Sequence, residues 1–531
     1  MIGQSKISLV TLSEDYIKEV ENLLEKVVSG GGEREFLQFS LKEGRFPLLH
    51  GDEKRIEEVL QERLAFLKSI YSDFKDFQVE KLKIPEEVSF LFELWQMWIP
   101  LAEVYIRGWQ VKQETADEKE TPYFVMLSGA QGSGKTVTTN VLQWLIPKLW
   151  DFKATTGKCS VKVLSIDSLY KTNRERIQLR NRLRLDMGLC AVEKIGLGSK
   201  KKQECESQLR DAIRFIEEIE LILGTPKIHS PQEGEFVERT IEEKNREVKG
   251  RLLPFPKDLQ VLLLASIEKN PFSLSPDVRR KILLYFLKRC SLDEKQLDTI
   301  IDEAVKGNPF YEVARGLPNT HYVDKFLDIY KGFCERLDVI ELPHFEKLFH
   351  GGIGDIKTID RILRGDYPEI FILEGWFVGV PTDLSMEEVE RIIRSNNYVF
   401  KIMDELDPER RHTEVMLKRL KPYKKIWDIF DIRTFLLIDD IRNVERSRAR
   451  QEETNRKHRV AELKSEGLSD EEIGQMKLGM TPEEIADFVK PYILLTYIIL
   501  SIDLFKYNAD IIFQIHSSDY KPRVISVRGK D

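Results

Sequence analysis

The chain has 531 residues, 42% of them apolar and 10% aromatic, enough to bury a sizeable core and too many for wholesale disorder. Its 82 Lys and Arg are outnumbered by 89 Asp and Glu, a net charge of −7, so sequence-independent binding of nucleic acid is not expected. At about 150 residues per domain the length accommodates roughly two to four domains.

Residues 1–110 read as a helical region. Ser13 caps a helix with the stripe Ile17, Val20, Leu24 and Val27, and Gly30–Gly32 ends it. Trp95, Trp98, Tyr105 and Trp109 crowd one stretch and are read as helix packing rather than a ligand platform. The period then changes to strand, Gly-rich loop and helix over Tyr123–Leu127, Ser128–Gly134 and Lys135–Leu149. Further short apolar strands are Val161–Ser165, Ile370–Leu373, Thr434–Ile438 and Ile511–Ile515. The first three of these run into acids, at Asp167, Glu374 and Asp439-Asp440. Short apolar strands alternating with helical stretches predict an α/β fold with a parallel sheet flanked by helices.

Residues 172–307 interrupt this pattern as a helical insertion, with Leu209, Ala212, Ile213, Ile216 and Ile219 at helical spacing. Ser275-Pro276 opens one helix, Ser291-x-x-Glu294 reads as a capping box for the next, and Gly307 stops it. Glu217, Glu218 and Glu220 are expected on solvated faces. The core therefore divides into 120–171 and 308–531, with a candidate lid near 442–480. Five scattered cysteines, without CxxC or zinc-type spacing, suit a reducing cytoplasm. The N-terminus lacks a secretory apolar stretch, and the longest apolar run, Ile493–Ile502, is far short of the ~20 residues of a membrane helix. A cytoplasmic protein with no membrane or nucleic-acid partner is expected.

The strongest chemical signal is Gly129-Ala130-Gln131-Gly132-Ser133-Gly134-Lys135-Thr136, which fits the P-loop pattern G-x-x-x-x-G-K-[ST] between a strand and a helix. Glycines there let backbone N–H groups turn towards phosphates, Lys135 reaches the β- and γ-phosphates, and Thr136 offers a hydroxyl to Mg²⁺. Asp167, at a strand end, suits a general base towards a substrate hydroxyl or a ligand of Mg²⁺ through water. Glu374 ends another strand, where it serves the Mg²⁺ shell as a Walker B acid does, or a structural ion pair. Arg315 and His321 lie in one turn-rich loop and Lys347 precedes another, His350–Asp355. These cations are candidates for holding an anionic substrate or the moving phosphoryl group. Arg442–Arg459 carries seven Arg and Lys against three Glu, as a lid over phosphates or a solvated helix.

From about Glu93 onward the chain resembles P-loop kinases of the D-glycerate 3-kinase type, which belong with uridine kinase, phosphoribulokinase and bacterial pantothenate kinase. The resemblance runs through Leu94-Trp95, Trp98–Ala102, Gly129–Thr136, Ser165-Ile166-Asp167 with Tyr170, and Arg315-Gly316 with Pro318, Thr320 and His321. It continues through Leu342-Pro343 with Lys347, Gly351-Gly352, Gly354-Asp355 and Glu374-Gly375-Trp376 with Gly379. It ends with Leu420-Lys421, Tyr423, Arg448 with Gln451-Glu452, Gly479-Met480 and Asp487-Phe488-Val489. The Arg-Gly-x-Pro-x-Thr-His and Glu-Gly-Trp elements are far more specific to this branch than the P-loop. The departures are Asn319 where the family has Gly, Tyr322 where it has Asp, and Ile353 and Ile356 where it carries arginines. The stretch from Asp167 to Arg315 is also longer than the family norm.

The resemblance implies transfer of the γ-phosphoryl of ATP, with Mg²⁺, to the 3-hydroxyl of D-glycerate. Gly129–Thr136 would bind ATP, Asp167 would be the base, and Thr136, Asp167 and Glu374 would serve the metal. Arg315, His321 and Lys347 would hold substrate carboxylate or phosphate, and Arg448 would belong to the lid. A small-molecule hydroxyl acceptor is thus the expected partner. The alternatives are a kinase for another acceptor, such as a nucleoside or a pantothenate-like alcohol, an ATP-binding regulatory or scaffold protein, and an NTPase with the helical insertion as its output.

Overall fold

A computed structural model describes residues 7–45, 53–115, 121–153, 157–224, 227–228, 236–237, 241–269, 273–312, 315–347, 354–465, 469, 471, 473 and 480–528. The His350–Ile353 part of one candidate loop, and Gly479 with most of the segment just before it, lie outside the described residues.

Besides a short antiparallel pair, Lys227–Ile228 with Phe236–Val237, the strands are β1 (Ile7–Thr11), β2 (Tyr123–Gly129), β3 (Val161–Ser165), β4 (Val339–Glu346), β5 (Asp355–Leu363), β6 (Ile370–Gly375), β7 (Ile432–Ile438), β8 (Ile511–Ile515) and β9 (Pro522–Arg528). Seven of them form one sheet in the order β1-β9-β8-β7-β2-β6-β3. The five from β8 to β3 run parallel, and β9 and β1 add an antiparallel edge. β2 is the middle strand of the parallel five, and all seven of its residues are buried. Its side chains alternate between two cores. Phe124 and Met126 enter one, while Tyr123, Val125 and Leu127 enter the other. A continuous apolar run is what a strand covered on both faces requires.

The second core holds the N-terminal helices against the sheet, with Leu24, Phe36, Leu67, Phe74, Trp95 and Tyr105 meeting Val125, Leu142 and Phe513. Ser13 caps the helix Glu14–Val28 by accepting the Tyr16 N–H. The N-terminal region is not wholly helical. β1 pairs antiparallel with β9, Ile7 opposite Arg528 through Thr11 opposite Val524. Ile-Ser-Leu-Val-Thr alternates at a period of two, but only a distant partner strand turns that pattern into an edge. A hairpin of β4 and β5 was equally hidden, because its pairing, Val339 opposite Leu363 through Glu346 opposite Asp355, is not announced by a tight-turn signal.

The helices α1 (Lys135–Phe152), α2 (Asn173–Ile195) and α3 (Ser199–Gly224) follow β2 and β3 in the chain. Helices between 199 and 306 enclose an apolar core of their own, which includes Leu209, Ala212, Ile213, Ile216 and Ile219. α2 spans two environments: Leu179 and Leu183 join the sheet's core, Ala191 and Val192 the helical one.

Two expectations for this segment are corrected. The helix Glu294–Lys306 is capped by Asp293 with Gln296, not by Ser291 with Glu294, since Ser291 lies two residues earlier and takes a left-handed φ of 50°. Glu220 is fully buried rather than solvated. Its carboxylate accepts from Arg184 Nη1 at 2.9 and 3.0 Å and from Asn181 Nδ2 at 2.8 Å. Burial pushes its pKa up, yet Arg184, Arg180 and Arg279 together hold it down at about 2. Arg184 also pairs with Glu312 at 2.5 Å, which ties the helical segment to the chain leading into Arg315. Two further helices matter for the site, α4 (Asn443–Ser465) and α5 (Pro482–Ser501). Among the described residues no helix is long and apolar enough to cross a membrane.

Candidate active site

β2 hands the chain to a tight loop, and α1 begins at Lys135. Gly132 and Gly134 take φ values of +78° and +82°, a left-handed backbone that glycine adopts without penalty. A side chain at Gly132 would also overlap the hydroxyl of Ser447 on α4, so the base of the candidate lid sits directly on the loop. Lys135 Nζ donates to the Ala130 carbonyl at 2.9 Å, folding the lysine back over the loop. Gly129, Ala130 and Ser133 are buried, Gln131 is half-buried, and Thr136 is exposed at the first turn of α1.

Sheet register brings the acids to this loop. Leu127 of β2 pairs with Glu374 of β6, and Glu374 pairs with Ser165 of β3. Glu374 therefore stands two residues back from the start of the glycine-rich loop. Asp167 follows Ser165 on a short 3₁₀ turn, Ile166–Leu169, whose cap Ser165 accepts the Asp167 N–H at 3.3 Å. Both carboxylates thus lie at the C-terminal strand ends, the side on which open α/β sheets take ligands.

A second cation comes from the hairpin. Lys347 Nζ lies 2.7 Å from Asp167 Oδ2. Burial pushes Asp167 up, but the charge and hydrogen bond of Lys347, with a hydrogen bond from Tyr170, outweigh it and hold Asp167 below the usual carboxylate range. Glu374 goes the other way: burial raises it against the pull of Lys135 and a Ser165 hydrogen bond. Lys135 is lowered by burial, opposed by Glu374 and Asp167. Two neighbouring carboxylates with opposite shifts are what differentiated roles require.

His321 reaches the site as a neutral buried ring, not as a cation. It is 2% exposed and stacks on Tyr170 at 4.4 Å between centroids. Its Nδ1 lies 2.9 Å from the Tyr423 hydroxyl, and burial drives its pKa down to about 3 despite nearby Asp167. Arg315 lies over Phe345, 5.9 Å from the ring centroid, and its carbonyl accepts from Tyr492 at 2.7 Å. Trp376, in the Glu-Gly-Trp element, donates to the Gly316 carbonyl at 3.2 Å and so joins the two most specific motifs. Arg448 lies against Glu452 at 2.5 Å and over Phe488 of α5 at 4.7 Å.

Asn319 takes a φ of +72°, so it occupies the backbone conformation that a glycine would supply, and its side chain accepts from Lys171 at 3.1 Å. The Tyr322 hydroxyl donates to Glu175, which caps α2. Ile356 is half-buried on the hairpin, and Ile353 lies outside the described residues. One cation escaped the sequence reading. Arg176, near the start of α2, lies 5.2 Å from the Phe345 centroid on the ring that Arg315 also covers, and it donates to the Gly354 carbonyl. It falls six residues after Tyr170, in a helical stretch whose charges carried no local signal.

Among the described residues, no group of three or more His, Cys, Asp and Glu could hold a metal by itself. Thr136, Asp167 and Glu374 instead offer the sparse oxygen set that suits Mg²⁺ shared with phosphates. Beside the loop, between Gly132–Gly134, α4 and the turn ahead of Ile99–Thr115, lies a cavity of about 680 Å³. Apolar walls come from Val88, Phe90, Met97, Trp98 and Ile515.

A mostly parallel sheet, a P-loop after its central strand and acids on the adjoining strand tips define a kinase-like P-loop α/β fold. No family model and no curated protein matches the chain. Solved structures similar to it include a D-glycerate 3-kinase from Cryptococcus neoformans var. grubii, at 15% identity and a TM-score of 0.43, covering 80% of this chain and 96% of that one. The YGR205w protein is similar at 17% identity and a TM-score of 0.42, over 81% of this chain and 97% of that one.

Proposed function

We propose that the protein is an ATP- and Mg²⁺-dependent small-molecule kinase that phosphorylates a hydroxyl of D-glycerate or a similar hydroxy acid. The observation that carries the reading is the meeting of Lys135, Asp167, Glu374 and Lys347 at one strand-end crevice. Asp167, held ionised, accepts the proton of the acceptor hydroxyl. The acceptor oxygen bonds to the γ-phosphorus as the bond to the bridging oxygen breaks, and ADP leaves with that electron pair. Lys135 and the loop N–H groups offset the charge spreading over the phosphate oxygens. Mg²⁺, when bound, would add charge neutralisation beside Thr136, Asp167 and Glu374. Arg315, with Arg176 across Phe345, supplies cationic surface for an acidic acceptor. The choice of hydroxy acids over other alcohols draws on the sequence resemblance.

The test is ADP release from purified full-length protein with MgATP, coupled to NADH oxidation, over D-glycerate first and then other hydroxy acids and nucleosides. Release that depends on a hydroxy acid supports the proposal. Release without any acceptor, or none with the whole panel, overturns it.

A further inference from the structure

The cavity beside the P-loop is lined by a buried carboxyl group that the phosphoryl-transfer chemistry does not use. Glu93 lines it, on the last residue of the short helix Leu91–Glu93 and directly before a π-helical turn, Leu94–Trp98. Such turns recur at functional sites because the extra residue re-aims the side chains around it. Glu93 is 3% exposed, and its Oε2 has no hydrogen-bond partner among the described residues. An unsatisfied carboxyl oxygen so buried is costly, and apolar Met97 and Trp98 give it no relief.

We propose that Glu93 reads the base of the nucleotide, its carboxyl group pairing with the amino group and the adjacent ring nitrogen of adenine in this cavity. The inference rests on the nucleotide-binding reading above and adds the residue that selects the base. The loop N–H groups of Gly132–Gly134 border the same cavity, so triphosphate and base can be held by one continuous surface. Adenine presents a donor next to an acceptor along its edge. A neutral carboxyl group offers the matching acceptor and donor, and its carbonyl oxygen has a lone pair to spare beyond the bond to Glu93's own N–H.

The charges around Glu93 favour that neutral form. Lys521 is the nearby cation, but it is engaged by Glu21, and Asp519 adds a like charge. Arg450, also on the cavity wall, donates to the Tyr520 hydroxyl at 2.6 Å. Burial is the largest influence and pushes Glu93 up to about 8.

The test compares ATP, purine riboside triphosphate, which lacks the amino group, and inorganic tripolyphosphate, which lacks the base. Binding to full-length wild type, Glu93→Leu and Glu93→Gln is measured by calorimetry. Wild type should prefer ATP over the deamino analogue by about tenfold, the factor expected when a buried hydrogen bond is lost. Glu93→Leu should lose that preference while its affinity for tripolyphosphate stays the same. Glu93→Gln, whose amide also offers a donor and an acceptor, should keep most of it. An unchanged preference in Glu93→Leu, with normal ATP binding, overturns the inference and leaves the kinase reading intact. Failure of wild type to bind either ATP or tripolyphosphate overturns both.

Discussion

Lys347, on the hairpin that closes over the sheet, forms an ion pair of 2.7 Å with Asp167 at the end of β3. The two are 180 positions apart in the chain, and their contact links the cation of one loop to the strand-end acid. If Asp167 is the base, the lysine sets the pH at which it can act. Lys347→Met should raise the acid-limb pKa of kcat/KM, because the opposite charge that favours ionised Asp167 is lost. Asp167→Ala should lower kcat by about 10²–10⁴ while ATP affinity stays near wild type. A pH–rate profile of Lys347→Met with an unmoved acid limb would contradict this role.

Lys135→Ala should remove most phosphoryl transfer, because its contacts strengthen as charge moves onto the phosphate oxygens. The melting temperature should fall as well, since the variant leaves the buried carboxyl group of Glu374 without its opposing charge. Activity and melting temperature measured on the same preparation separate the two effects.

Gly132→Ala should cost about 1–2 kcal/mol from the left-handed backbone alone, with a further steric cost against Ser447. Adding Ser447→Gly should recover the steric part and not the backbone part. Denaturant unfolding of the single and double variants measures both, and a double variant no better than the single one would exclude the overlap.

His321 predicts an acid sensitivity with a definite sign. Its folded pKa, about 3, lies below the ordinary value of 6.5, so below pH 6.5 the unfolded chain takes up a proton that the folded chain refuses. The stability from this group is complete above that pH and is lost as pH falls, by up to about 1.4 kcal/mol per unit. Unfolding free energies between pH 7 and 4 should show a shallower decline in His321→Asn than in wild type.

Glu220→Gln should destabilise the protein by about 3 kcal/mol, because Arg184, Arg180 and Arg279 would keep their charges around a neutral amide. Urea unfolding gives the size of the loss. A change below about 0.5 kcal/mol would mean that solvent reaches the cluster.

Some of this protein is written in short stretches of its chain. The glycines of the P-loop, the apolar run of β2 and the helix after it are local signals, because backbone conformation and strand burial act over a few residues. The strand-end positions of Asp167 and Glu374 are legible for the same reason, and Asn319 still supplies the left-handed turn that a glycine would. Tertiary structure decided the rest. Only sheet register sets Ser165, Glu374 and Leu127 side by side. The hairpin alone carries Lys347 to Asp167, and only packing makes His321 a neutral ring, buries Glu220 among arginines and leaves Glu93 facing a cavity. In each case the deciding quantity is the charge or solvation supplied by residues far away in sequence, and a side chain's identity does not contain its neighbours.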